Sequence, residues 1–158
     1  MSNPFHFASP AVLQQQLKLV MGNYRSTVFI IPVVFLLLWG LSNDVNRDHL
    51  LGWSVAVVLS NLLIQFYSWY QLKYGILPAQ LRSTTLRYAV LHCIDGALWG
   101  TLSWLVLDNI TDLQIVFVAA IFSGMLGASL ATLSPIPILF LAFVVPHLLG
   151  IASKLWLT

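Results

Sequence analysis

The sequence is a succession of long apolar stretches separated by short polar or turn-forming links. A membrane-spanning helix needs about 20 mostly apolar residues. Five stretches come near or reach that length, and they cover residues 27–42, 50–72, 88–107, 113–133 and 135–155. The pattern therefore predicts an all-α integral membrane bundle with five transmembrane spans, formed by residues 27–158.

Residues 1–26 are predicted to form a separate N-terminal segment. Ser9 and Pro10 are typical of a helix start, because a small polar cap precedes proline at the first helical position. Apolar residues then recur at helical spacing, at Val12, Leu13, Leu17, Val20, Met21 and Tyr24. This spacing favours a short amphipathic helix on the inner leaflet. A cytoplasmic extension of the first span is an equal alternative, since Gly22 weakens helix continuity without forbidding it.

Composition excludes several classes of protein. Of the residues, 59% are hydrophobic and 8% are charged, whereas soluble domains have about 25% charged residues. The mean hydropathy is +0.87, so a water-soluble globule and a disordered chain are both excluded. A net charge of +2 is too weak to hold a nucleic acid. The lone cysteine, Cys93, excludes a disulfide framework and is interpreted as an apolar filler.

The basic residues indicate an orientation. If the N-terminus is cytoplasmic, five of the seven lie inside: Lys18, Arg25, Lys73, Arg82 and Arg87. Four of the five Asp residues then lie outside, as the positive-inside rule favours. Five crossings place the C-terminus outside as well, and we expect a sixth span to be missing from this chain. The charges thus predict a multi-pass membrane protein with a cytoplasmic N-terminus.

Small residues in the third and fourth predicted spans indicate close helix packing. Gly96 and Gly100 form a G-x-x-x-G motif, which lets another helix approach closely in lipid. The fourth span has two small-residue stripes, which include Ala120, Gly124, Gly127 and Ala128. We expect these two spans to pack together on their stripes. The functional interpretation is a movable or dimerising interface, hence a homodimer, and the alternative is static packing within the bundle.

The third predicted span also has ionisable residues. His92 and Asp95 are three residues apart and Trp99 follows four residues later, so all three lie on one helix face. A mid-membrane Asp costs about 2.5–3.5 kcal/mol on insertion scales unless it is paired. The three residues are therefore candidates for ligand or proton sensing. A hydrogen-bonded His92–Asp95 pair that only braces the bundle is the alternative.

Two further polar positions lie in other spans. His147 follows Pro146 in the fifth span and is a fourth candidate for ligand or proton sensing. Together with His92 and Asp95 it has the ligand chemistry of a metal site, but a histidine buried in a core is the more frequent arrangement, so no metal is predicted. Asn61 in the second span is interpreted as a polar residue that forms hydrogen bonds between helices.

No catalytic motif is found in the sequence. It contains no glycine-rich phosphate loop, no H-E-x-x-H and no recognisable Ser-His-Asp set. We therefore predict no catalytic residue and no cofactor. The chain of charged residues that marks an ion pathway is absent too.

Three short motifs in the last three spans indicate a family. They are GALWG at residues 96–100, GMLGA at 124–128 and LSP at 133–135. Their order resembles the N-terminal multi-span sensory region of bacterial diguanylate cyclases (GGDEF proteins) and of some sensor histidine kinases. The resemblance implies an input domain in a bacterial inner membrane that responds to a small or lipophilic ligand and regulates a cytoplasmic output domain of the same polypeptide. A complete small membrane protein, a transporter or a scaffold, is the alternative.

Overall fold

A computed structural model describes residues 9–23, 29–43 and 45–157, apart from the side chain of Asn109. Within these residues the chain is helical and has no strand. The six helices are α1 (Pro10–Gly22), α2 (Ile30–Leu41), α3 (Arg47–Tyr74), α4 (Leu81–Val106), α5 (Asp112–Leu133) and α6 (Pro137–Trp156). Single 3₁₀ turns precede and follow α4, at Pro78–Gln80 and Leu107–Asn109.

Four of the helices are long and apolar enough to cross a membrane: α3, α4, α5 and α6. This confirms a helical membrane protein. Helix α2, in the first predicted span, has 12 residues and is about 18 Å long, against a hydrocarbon core of about 30 Å. The described residues thus contain four candidate spans rather than five, and residues 27 and 28 of the first stretch lie outside the described ranges.

The connection between α3 and α4 is shorter than the sequence pattern indicates. The polar link was expected over residues 73–87, but α3 continues to Tyr74 and α4 begins at Leu81. Gly75, at a φ of +81°, ends α3 in a conformation that favours glycine. Pro78 then begins the 3₁₀ turn that leads into α4. The basic side chains of residues 82 and 87 therefore lie on the first turns of a helix, not in a loop.

Helices α3 and α4 form an antiparallel hairpin held by polar contacts along its length. Near one end Trp53 Nε1 donates to the Leu98 carbonyl at 2.7 Å. Towards the other end, Ser68 Oγ and the Tyr88 hydroxyl lie 2.9 Å apart. Because these groups satisfy one another inside the protein, the hairpin is tied where lipid offers no hydrogen-bond partner.

Helices α4 and α6 run parallel and make the most extensive pairing in the bundle. Hydrogen-bonded residues on the two helices, Ser103 and Trp104 with Gly150 and Ser153, are 46 to 49 positions apart. The G-x-x-x-G motif produces this pairing: a Cβ on Gly100 would lie 2.9 Å from the His147 carbonyl oxygen, and one on Gly96 would collide with the Phe143 carbonyl. Gly150 meets Gly100 from the opposite helix, so backbone packs directly on backbone.

The prediction that the third and fourth spans pack on their small stripes is therefore wrong. The motif of α4 faces α6, and no heavy atom lies within 4 Å of a Cβ placed on Gly124 or Gly127 of α5. The backbone of α6 occupies the glycine face of α4, so α5 is left at the periphery with few buried residues.

The two ends of the bundle differ in their contacts. Helix α1 lies at the α3–α4 connection, where Gln14 Nε2 donates to the Ile76 carbonyl at 2.9 Å. Its buried residues are Leu13, Leu17, Val20 and Met21. At the opposite end, Lys154 forms an ion pair with Asp108 at 2.6 Å, which joins the end of α6 to the turn after α4.

Candidate functional site

A cavity of about 350 Å³ lies where α2 and α5 meet the α3–α4–α6 part of the bundle. We call it the central cavity. Its walls are mostly apolar, with Val33 from α2, Ile64 from α3, Met125 from α5 and Phe143 from α6 among them. This size is within the range of small-molecule sites, which are about 300–1,000 Å³ and mainly apolar.

The small residues of α5 are the reason that the cavity exists. Ala120, Gly124 and Ala128 line it, and a Cβ on Gly124 would meet no heavy atom within 4 Å. One of the two predicted stripes thus leaves space instead of receiving a helix. Phe29 and Ile30, at the start of α2, line the same cavity.

Asp95, one of the candidate residues, lies at the polar side of the central cavity. Its Oδ1 accepts a hydrogen bond from Asn61 Nδ2 at 3.2 Å, and the side chain of Ser60 lies beside the same carboxyl group. A His92–Asp95 hydrogen bond was the expected brace, but the carboxyl group pairs across to α3. The prediction that Asn61 acts between helices agrees with this contact.

His92 faces the central cavity and its side chain is not satisfied by the protein. The ring makes an edge contact with Tyr88 one turn away, at 4.7 Å between centroids. The residue is 8% exposed, and its Nε2 atom has no hydrogen-bond partner among the described residues. A buried polar atom without a partner costs about 1–3 kcal/mol, so this nitrogen lowers the stability of the bundle locally.

Trp99 and His147, the other two candidates, do not line the central cavity. Trp99 is fully buried, and its ring packs edge-on against Trp53 at 5.3 Å. His147 is also fully buried, and its ring packs against Phe122 at 4.9 Å and Phe143 at 5.7 Å. Both are core residues of the helix contacts rather than cavity residues.

The ligand set considered for a metal is not brought together. In the described ranges no group of three or more His, Cys, Asp or Glu side chains could hold a metal ion. His92 and Asp95 share the cavity, whereas His147 packs against the rings of Phe122 and Phe143 and does not line it. Spacing along one helix predicted the first two residues together, but the third depended on the packing of α6.

Two features of the site were missed in the sequence. Ser129 and Thr132 line the cavity, and their hydroxyls donate to carbonyls of their own helix, Leu126 and Ala128. The second missed residue is Gly150, which shapes the neighbouring α4–α6 contact. Its position four residues after Pro146 in the sequence is the signal that could have indicated it.

The central cavity as a whole has one polar side and long apolar walls, which suits binding of an amphiphilic molecule.

The chain matches no family model, no curated protein and no solved structure.

Proposed function

We propose that this chain is the membrane-embedded input domain of a bacterial signalling protein and binds a lipophilic ligand in the central cavity. The supporting observation is the cavity itself: it has mostly apolar walls, and His92 and Asp95 are among the few polar residues that line it. Ligand sites have this composition, with a few polar groups that orient the bound molecule.

The packing of the helices supports a mechanism by which ligand binding in the central cavity is transmitted to the output domain. Backbone contact between α4 and α6 and the polar α3–α4 contacts make a rigid core. Helices α2 and α5 close the cavity and are joined by a hydrogen bond from Gln114 Nε2 to the Gly40 carbonyl, 2.7 Å long. A molecule that fills the cavity therefore pushes this pair of helices away from the core. The shift regulates the output domain, which the resemblance to diguanylate cyclases and histidine kinases assigns to the cytoplasm.

The proposal places the N-terminus in the cytoplasm of a bacterium. Helix α1, which includes Lys18, packs at the same end of the bundle as Arg82 and Arg87 on the first turns of α4. Asp108 and Asp112 lie at the opposite end. This distribution is the one that the positive-inside rule favours. The homodimer expected from the sequence stays part of the proposal, without an assigned surface.

Cysteine labelling tests the orientation. With Cys93 replaced by serine, we expect Val45→Cys to react with a membrane-impermeant maleimide in intact cells. Gln80→Cys should react only after permeabilisation, because it lies at the α1 end. Both positions are exposed, so access to the reagent depends on the side of the membrane. Labelling of residue 80 in intact cells, with residue 45 protected, would reverse the orientation.

A substitution that fills the central cavity tests the proposed function. Gly124→Leu places a side chain in the cavity without a clash at Cβ, and Gly52→Leu is a matched control because its Cβ is equally free and the residue lies outside the cavity. We expect native mass spectrometry to find a lipophilic molecule on the wild type and on Gly52→Leu, and to find it lost from Gly124→Leu.

The same two variants test signalling when they are placed in the chromosomal gene. Cellular cyclic di-GMP is expected to change in the Gly124→Leu strain and to equal the wild type in the Gly52→Leu strain. Equal levels in all three strains would contradict a diguanylate cyclase output. Equal retention of co-purified molecules by both variants would contradict binding in the central cavity.

A further inference from the structure

A second concave site lies on the surface of the bundle, between α3 and α4 and towards the end where α1 packs. We call it the α3–α4 groove. It has a volume of about 380 Å³ and is lined by Tyr67, Leu86, Arg87, Val90 and Leu91. We infer that this groove binds an anionic phospholipid, with the phosphate on Arg87 and part of one acyl chain along Val90 and Leu91. The inference uses neither the central cavity nor its ligand, so it is independent of the proposed function.

The walls of the α3–α4 groove are apolar and face the lipid. Leu86 and Val90 are exposed, and Tyr67 and Leu91 are half-buried. Tyr67 stacks on Tyr88 at 5.9 Å between ring centroids, and the Tyr88 hydroxyl is itself hydrogen-bonded to α3, so the two sides of the groove are held together. At about 30 Å³ for a water-sized group, the 380 Å³ of the groove has room for roughly a dozen non-hydrogen atoms. That is a section of one acyl chain.

Arg87 lies at the shallow end of the groove. It is six residues, or about 9 Å of helix, from the start of α4 at Leu81, whereas Val90 and Leu91 are about one turn deeper. Side chains on a helix tilt towards its N-terminus, so the exposed guanidinium is directed towards the head groups while its alkyl stem covers apolar surface. A guanidinium can bind a phosphate through two parallel hydrogen bonds. The polar and apolar parts of a phospholipid therefore meet matching groups in order along the groove.

The charges at this end of the bundle favour a lipid with a net negative charge. The chain has five acidic residues, at positions 44, 48, 95, 108 and 112. Four of these positions lie where the chain joins α2 to α3 or α4 to α5, which is the opposite end. The fifth, Asp95, is about 12 Å deeper along α4 than Arg87 and accepts a hydrogen bond from Asn61.

This distribution distinguishes between classes of head group. In the part of the chain that the structure describes, no acidic side chain at this end can offset Arg87 or attract the ammonium group of a zwitterionic lipid. Lys73, in the last turn of α3, and Arg82, in the first turn of α4, add positive charge at the same end. Basic clusters next to the membrane surface attract anionic lipids, so the α3–α4 groove should prefer phosphatidylglycerol to phosphatidylcholine.

Native mass spectrometry tests the inference on the delipidated chain in an uncharged detergent, titrated with phosphatidylglycerol or with phosphatidylcholine of the same acyl chains. We expect the wild type to bind phosphatidylglycerol about tenfold more tightly, and Arg87→Gln to lose that preference. Arg82→Gln is the matched control, because it removes the same charge from the same end of α4 at a position outside the groove. Its affinity should stay within about twofold of the wild type, since exposed charges contribute little individually.

A second pair of variants tests the acyl-chain part of the groove without any change of charge. Val90→Trp fills the groove and should weaken the binding of both lipids. Ile94→Trp lies one turn further along α4, is similarly exposed and is outside the groove, so it should bind both lipids as the wild type does. Melting temperatures in the same detergent check that each variant is folded.

Inorganic phosphate, added at millimolar concentration as a competitor, separates a lipid from a free phosphate. It should not displace phosphatidylglycerol, because it has no chain for the apolar walls. Displacement by phosphate alone would overturn the assignment of a lipid. Equal losses of affinity in Arg82→Gln and Arg87→Gln, or equal binding of the two lipids by the wild type, would overturn the groove as an anionic lipid site. None of these measurements uses Gly124→Leu, so failure here and failure of the proposed function are distinguishable.

Discussion

Replacement of Gly150 by alanine is expected to lower the free energy of unfolding by about 1–3 kcal/mol, the usual cost of overpacking a tight contact. The added Cβ would lie 2.7 Å from both the Cα and the carbonyl carbon of Gly100. Neither is the end of a flexible side chain, so α4 and α6 must separate. Because these helices make the most extensive pairing in the bundle, the loss affects the whole core. Thermal or denaturant unfolding in a fixed detergent measures it.

The matched control is Gly127→Ala on α5, where no heavy atom lies within 4 Å of the added Cβ. Alanine is the better helix former by up to about 1 kcal/mol, so this variant should be as stable as the wild type or more stable. The two substitutions are chemically identical and are expected to have opposite signs. If Gly150→Ala melts with the wild type, the close approach of α4 and α6 is wrong.

Asp95→Leu is expected to cost about 1–3 kcal/mol of stability, because it leaves the buried Asn61 amide without its acceptor across the helix pair. Asp95→Asn preserves the shape and an acceptor oxygen, so its stability should lie close to that of the wild type. Unfolding measurements on both variants in one detergent distinguish loss of the hydrogen bond from loss of the charge.

The double variant Asn61→Leu, Asp95→Leu supplies the control for this prediction. With both partners apolar, neither side of the Asn61–Asp95 contact is left unsatisfied, and part of the loss seen for Asp95→Leu should be recovered. Strictly additive losses would show that the Asn61–Asp95 contact does not contribute. Asp95→Asn with normal stability and an altered cyclic di-GMP level would assign the carboxyl group a role in sensing as well as in bracing.

Much of the architecture follows from the sequence because lipid imposes a simple rule. Backbone groups in hydrocarbon must bond within a helix, so long apolar stretches such as residues 113–133 and 135–155 predicted α5 and α6 within a few residues. The polar face of α4 was predictable for a similar reason, since a spacing of three residues puts His92 and Asp95 on one side of any helix. Length failed as a guide for the first stretch, where the described helix has only 12 residues.

Which surfaces meet was decided by the tertiary structure. Small residues permit close approach but do not choose a partner: Gly100 meets Gly150 of α6, while Gly124 of α5 faces the cavity. The partner of Asp95 was also a matter of packing, because Asn61 lies 34 residues away in sequence. Periodicity along one helix cannot encode such contacts. The sequence alone determined the membrane, the helices and their polar faces. The central cavity was decided by the tertiary structure, because the glycine face of α4 packs on α6 and the small-residue face of α5 is left unfilled.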